Sequence, residues 1–349
     1  MVIAAGGTAG HVSPALAVAR ALRARGAAVT FVGGDRAEAE MVPAAGFPIV
    51  RLAVEGLSRR NPLRALRALW RAAIAFVRAR RLLGDLRPAA VFGGGGYVAG
   101  PVGLAALSAG VPLVLSEADS HLGLANRLLA ARARRVCLAF PIDGREGDPY
   151  RVTGRPLPFA PVPRDRARER FGVARDAVCV LVFGGSLGSR AINLAAIAGL
   201  RDGDFEVLHV SGRRDHAELA AGPLRAGYHL IEYLDPQDFA SALSAADLAV
   251  ARAGGSVMEI AAHGLPAILV PYPHAAGDHQ RANARFMQEA GAAVAIDERD
   301  LSGSRLARTV RELLGDRERM GRMAEAARSL ARPDAAEAIA AEILEAARA

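Results

Sequence analysis

The chain has 349 residues, 52% of them apolar, and a net charge of +8, which is long enough for two domains of ordinary size. All 44 basic side chains are arginine, no apolar run is long enough to cross a bilayer, and the start is not a signal peptide. Cys137 and Cys179, in separate apolar stretches, read as buried free thiols of a cytosolic protein; with 5% aromatic residues and no helix-turn-helix or zinc spacing, nucleic acid is not an expected partner, whereas phosphates, nucleotides and acidic lipid are.

In chain order, apolar runs at 1–5, 28–32, 48–52, 89–92, 112–116 and 135–138 alternate with Ala-, Leu- and Arg-rich helical segments. A second series follows at 178–183, 206–210, 229–231, 247–251, 267–270 and 292–296. This alternation predicts parallel sheets covered by helices on both faces. Between the two series stand Pro156, Pro158, Pro161 and Pro163, which favour an extended linker. The expectation is an α/β protein of two Rossmann-like domains, 1–157 and 158–332, facing each other across a cleft. A last helix after Pro333 would return to the first domain.

Each series opens with the same device. "AAGGTAGHVSPALAVARAL" (4–22) and "VFGGSLGSRAINLAAIAGL" (182–200) both run from an apolar stretch through Gly-Gly, a hydroxyl residue and a later glycine into a helix. Such a loop offers backbone N–H groups at the positive end of a helix dipole, lets a diphosphate approach without a Cβ in the way, and adds a donor from Thr8 or Ser186. A tight strand-to-helix turn needs the same residues, and neither loop fits the dinucleotide or Walker pattern. It is the repetition, one copy per domain, that points to phosphorylated ligands. A third glycine run, "FGGGGYVAGP" (92–101), follows another strand. Gly254-Gly255-Ser256 then starts a helix whose first turn carries Glu259, either an ordinary helix-start acid or an acceptor for a ribose diol. "GDHQRANA" (277–284) puts Asp278, His279 and Gln280 at another helix start, suited to a sugar or to plain solvation.

The segments "GGTAGHVSPALAVA", "GGGGYVAGP", "GLANRLLA", "VTGRPLP", "GGSLGSRAIN" and "RAGGSVMEIAAHGLPAILVPYPHAAGDHQRANA" occur in the order and approximate spacing of the MurG family, which the chain resembles over essentially its whole length. That family makes peptidoglycan, on which cell shape and division depend. It moves N-acetylglucosamine (GlcNAc) from UDP-GlcNAc to the muramic acid C4 hydroxyl of lipid I, giving lipid II. The resemblance implies the two-domain GT-B fold, inversion at the anomeric carbon, no cofactor and no metal. It assigns UDP-GlcNAc to the second domain: Gly185 and Ser186 at the diphosphate, Glu259 with Gly255 and Ser256 at the ribose, Leu234 at the uracil. Gln280 and His279 would meet the GlcNAc, and Arg155 would be a further donor contact. Lipid I goes to the first domain, against Thr8, Ala9, Gly10, Gly95, Gly96 and Tyr97, with Asn126 along the cleft. His11 becomes the base that takes the acceptor proton, with Glu117 and Asp119 as further catalytic candidates.

Two stretches depart from the family's usual pattern. Ser116-Glu117-Ala118-Asp119 stands where His-Glu-Gln-Asn is usual, so the carboxylate of Asp119 replaces an amide and competes with His11 as base. Pro158 stands where arginine is frequent, and Arg155 replaces the usual asparagine. The stretch 58–88 sets Leu63, Leu66, Trp70, Ile74 and Val77 at helical spacing among six arginines from Arg64 to Arg81. That is either a buried helix face or a surface for anionic lipid. The family is peripheral at the cytoplasmic face of the membrane, with other cell-wall-synthesis proteins as candidate partners. The same loops also fit a GT-B transferase for another lipid acceptor such as diacylglycerol, a UDP-GlcNAc 2-epimerase, or a non-enzymatic nucleotide-binding scaffold.

Overall fold

A computed structural model describes residues 1–54, 62–185 and 187–348. The chain divides into one unit of Met1–Pro158 with Arg332–Ala349, and a second of Phe159–Ala331. In the first, β1 (Val2–Ala4), β2 (Thr30–Gly33), β3 (Ile49–Arg51), β4 (Val91–Gly93), β5 (Leu113–Glu117), β6 (Arg135–Leu138) and β7 (Tyr150–Val152) lie in the order β3-β2-β1-β4-β5-β6-β7. In the second, β8 (Cys179–Phe183), β9 (Glu206–Val210), β10 (Tyr228–Ile231), β11 (Leu248–Ala251), β12 (Ala267–Leu269) and β13 (Ala293–Ala295) lie in the order β10-β9-β8-β11-β12-β13. Every neighbouring pair is parallel. Each apolar run expected to be a strand is one, and β7 is an addition. It is a three-residue edge strand with Val152 exposed, so no apolar run marks it.

Helices on both faces explain why the strands read as unbroken apolar runs rather than alternating ones. Successive side chains of β1 point to opposite faces. Ile3 joins Phe31 and Phe92 in a core closed by Leu22 of the helix Ala9–Ala24 and by Ile339 and Ile343 of the helix Ala335–Ala346. Val2 and Ala4 join Val91 and Leu115 under Ala79 and Leu83 of the helix Pro62–Leu86 and Val102 of the helix Ala99–Ser108. The last helix is therefore part of the first unit's core. Arg135 at the start of β6 pins it through Glu342 (2.9 Å) and Glu345 (3.3 Å).

The helix Pro62–Leu86 decides between the two readings of its apolar stripe. Its buried face is Ala68, Ala75, Ala79 and Leu83, whereas Trp70 is 67% exposed and Val77 47%. Ile74 is also exposed. The Trp70 side is thus not a core face; the side chains of Leu63 and Leu66, like residues 55–61, lie outside the described residues. Among those residues, no helix is long and apolar enough to cross a membrane.

Candidate active site

Both sheets wind outward from a switch point, between β1 and β4 in the first unit and between β8 and β11 in the second. In open α/β sheets ligands bind at such a point, outside the carboxyl ends of the strands. The topology therefore brings glycine loops far apart in sequence into pairs. The turn after β1 lies beside the turn after β4, and the turn after β8 beside the turn after β11.

Glu38, which no sequence motif marks, joins the first-unit loops. It sits fully buried in the first turn of the helix Ala37–Ala44. Its Oε2 accepts from the Gly7 N–H (2.8 Å), and its Oε1 accepts from the Gly34 N–H (2.8 Å) and the Tyr97 hydroxyl (2.9 Å). Burial pushes its pKa up, but these bonds and one from its own N–H outweigh burial and hold it below the ordinary range. Some glycines serve this internal packing. A Cβ on Gly6 would stand 2.7 Å from Glu38 Oε1, and one on Gly96 would stand 1.8 Å from the Gly6 carbonyl oxygen. The Tyr97 phenol is consequently engaged within the protein, and burial with the Glu38 contact raises its pKa to about 12.

His11 lies in the first turn of the helix Ala9–Ala24, bracketed by the two glycine loops. A Cβ on Gly95 would come 3.0 Å from its Nδ1, and one on Gly7 would come 3.9 Å from its Cδ2. His11, Gly95, Gly96, Glu117, Asp119 and Asn126 line one concavity of about 180 Å³. Glu117 accepts from the N–H groups of Asp119 (3.2 Å) and Gly123 (2.7 Å) and from Asn126 Nδ2 (2.9 Å). Burial still raises its pKa, helped by the charge of Asp119. Asn126 is spent on this support, its Nδ2 also donating to the Ser116 carbonyl (2.9 Å). Thr8 occupies the N-cap without a side-chain cap bond, and Ala9 and Gly10 open the helix. The Gly10 carbonyl accepts from Arg155 Nη2 (2.6 Å). Arg155 thus belongs to the first unit, whereas the other residues assigned to the donor belong to the second. Burial and then the Arg155 charge lower the His11 pKa, against an upward pull from Asp119.

In the second unit Gly185 turns with φ +88° after β8, and Ser189 caps the helix Arg190–Gly199 by accepting from the Ile192 N–H. Ser186 lies outside the described residues. After β11, Gly255 and Ser256 lead into the helix Val257–Ala262, with Glu259 in its first turn. Gln280 and His279 open the helix His279–Glu289 nearby. Gln280 Oε1 accepts from the Tyr272 N–H (3.0 Å), its Nε2 would lie 4.0 Å from a Cβ on Gly254, and the buried Asn283 donates to the Ala253 carbonyl (3.0 Å). These segments form one cluster. Leu234 follows β10, two strands from the switch point, beside Tyr233, whose ring lies 4.8 Å from the Arg213 guanidinium. Among the described residues no three His, Cys, Asp or Glu side chains are grouped to hold a metal ion.

Residues 1–138 match the glycosyltransferase family 28 N-terminal domain, and residues 179–339 match the family 28 C-terminal domain. A protein of Acidithiobacillus ferrooxidans named UDP-N-acetylglucosamine--N-acetylmuramyl-(pentapeptide) pyrophosphoryl-undecaprenol N-acetylglucosamine transferase is 44% identical over 358 residues, covering 99% of this chain and 97% of its own. The Moorella thermoacetica protein of the same name is 42% identical over 371 residues, covering 99% and 98%. Among solved structures, Acinetobacter baumannii MurG aligns with a TM-score of 0.77 at 32% identity, over 99% of each chain.

Proposed function

This chain belongs to the MurG family within glycosyltransferase family 28, and from that membership we infer that it moves GlcNAc from UDP-GlcNAc to the C4 hydroxyl of the muramic acid of lipid I, forming lipid II. It is an N-acetylglucosaminyltransferase, and its two parallel α/β units are those of a GT-B enzyme. The observation that carries the reading is the doubled switch point, which sets a pair of glycine loops at the carboxyl edge of each sheet. Two diphosphate substrates call for two such edges. We assign lipid I to the first unit and UDP-GlcNAc to the second.

In the reaction, neutral His11 takes the proton of the C4 hydroxyl. The oxygen's electron pair forms the new bond to the sugar's anomeric carbon with inversion, while that carbon's bond to the diphosphate oxygen breaks and its electron pair leaves with UDP. Glu117 supports this by shaping the 118–126 turn. Incubation with UDP-GlcNAc and a soluble lipid I analogue is expected to give UDP and disaccharide in equal amounts. UDP release without disaccharide, or epimerised sugar, overturns the reading.

On the donor side, Glu259 accepts both ribose hydroxyls. Hydrogen bonds to a charged acceptor contribute about 1.5–3 kcal/mol. Glu259→Ala is therefore expected to weaken UDP binding about tenfold or more. Calorimetry checks this; unchanged affinity removes the assignment.

The enzyme works peripherally at the cytoplasmic face of the membrane, where a lipid-anchored acceptor is presented. Support comes from exposed Trp70, Ile74 and Val77 on a helix that also carries Arg67 and Arg71, a combination suited to anionic headgroups. The variant Trp70→Ser/Ile74→Ser/Arg67→Gln/Arg71→Gln is expected to pellet less with anionic vesicles while melting normally. If it pellets like the parent protein, another surface makes the contact.

A further inference from the structure

Behind the glycine loop of the second unit runs a buried polar chain that the proposed reaction does not use. Tyr228 on β10 has its hydroxyl 2.9 Å from His209 Nδ1 on β9, and His209 Nε2 lies 3.0 Å from Asn193 Oδ1 on the helix Arg190–Gly199. Asn193 Nδ2 reaches both the Ser211 carbonyl and Asp215 Oδ2, each at 2.9 Å. His209 and Asn193 are fully buried. The direction of every bond follows from the partners. Ser211 O and Asp215 Oδ2 only accept, so the Asn193 amide nitrogen faces them and its oxygen faces the histidine. His209 must then donate from Nε2 and accept the Tyr228 hydroxyl proton at Nδ1. This is the neutral imidazole, consistent with burial lowering its pKa to about 4.

The chain ends on the wall against which the loop is seated. A Cβ on Gly188 would stand 2.1 Å from the Ser211 carbonyl oxygen, the same atom that Asn193 holds, and Gly188 has a positive φ of 75°. The Asn193 side chain therefore fixes the carbonyl against which Gly188 is seated. Buried hydrophobic residues of the same size would fill this space, but they would leave the Ser211 carbonyl unpaired and the loop free to shift.

We propose that Asn193, oriented by His209 and Tyr228, is a positioning residue that holds Gly188, at the end of the glycine loop after β8, in place for diphosphate binding. This rests on the reading that the loop takes the UDP diphosphate. The test compares UDP with uridine, which lacks the phosphates, by calorimetry on the full-length protein. Asn193→Ala is expected to weaken UDP about tenfold or more while leaving uridine within about twofold. Tyr228→Phe removes a single hydroxyl from the far end, and is expected to weaken UDP about two- to threefold with uridine unchanged. Amide hydrogen exchange in the 184–189 peptide is expected to quicken in both variants. If Asn193→Ala does not fold, the tyrosine variant and its exchange rates carry the test. Equal losses for UDP and uridine, or no loss of UDP, overturn the positioning role. A parent protein that binds UDP no better than uridine overturns the diphosphate reading itself, which is a separate result.

Discussion

Glu38→Ala is expected to lower the melting temperature and to impair acceptor use while leaving UDP affinity unchanged. The substitution strands the N–H groups of Gly7 and Gly34 and the hydroxyl of Tyr97, all of which donate to this one carboxylate. A buried donor left without its acceptor costs about 1–3 kcal/mol, so a loss of about 3 kcal/mol or more is expected. For a unit of this size that corresponds to a fall of about 6–12 °C in melting temperature. Because the carboxylate ties the turns after β1, β2 and β4 together, its loss also lets the His11 bracket drift. Misplacement of this kind raises the acceptor KM or lowers kcat by about tenfold or more. Glu38→Gln keeps the volume but offers an amide N–H₂ where a carboxylate oxygen accepted, and is expected to fall between the two. The pH dependence has a definite sign. The folded-state pKa of Glu38 is depressed, so its stabilisation is present above the unfolded-state pKa and is lost as pH falls through the folded value. Normal melting and a normal acceptor KM in Glu38→Ala would remove the clamp from the account.

Glu38 also marks the limit of what the sequence could disclose. The strands and glycine loops were legible because each is local: an apolar run, then Gly-Gly, then a helical period. Glu38 reads as an ordinary acid at a helix start, and its partner Tyr97 is 59 residues away. The clue was available in Gly33-Gly34 just before it, since two glycines at a strand end leave room for a buried side chain. The roles of Asn193 and His209 were hidden in the same way, because each looks like a core residue until its partners are known. A glycine loop in sequence does not say which glycines face a phosphate and which serve packing; Gly6, Gly96 and Gly188 make room for neighbouring protein atoms. Trp70 was undecided for the opposite reason. Its helical spacing fits a core face equally well, and only packing shows that the alanine side is the buried one. The bond from Arg155 to the Gly10 carbonyl was likewise not legible, because a long side chain near a linker can reach places its position in the sequence does not fix.

The other large effect is expected at His11. His11→Ala should lower turnover by about 10²–10⁴-fold, the usual worth of a general base, while UDP affinity stays the same if, as proposed, the donor is held by the second unit. The environment suits a base. Burial and the neighbouring Arg155 charge hold the imidazole below its ordinary pKa, so it is neutral and able to accept a proton through the physiological range. In a pH profile of kcat/KM the acidic limb should therefore fall below the ordinary histidine value. Arg155→Leu removes a charge that disfavours the imidazolium, and should move that limb to higher pH. Asp119→Asn removes a charge that favours it, and should move the limb to lower pH. The opposed shifts separate the two candidate bases. If Asp119 takes the proton, Asp119→Asn abolishes turnover instead of shifting the limb, and His11→Ala retains most of its rate. A histidine that is the base must show both the loss on its own removal and the two displacements, because only its protonation then sets where the limb falls.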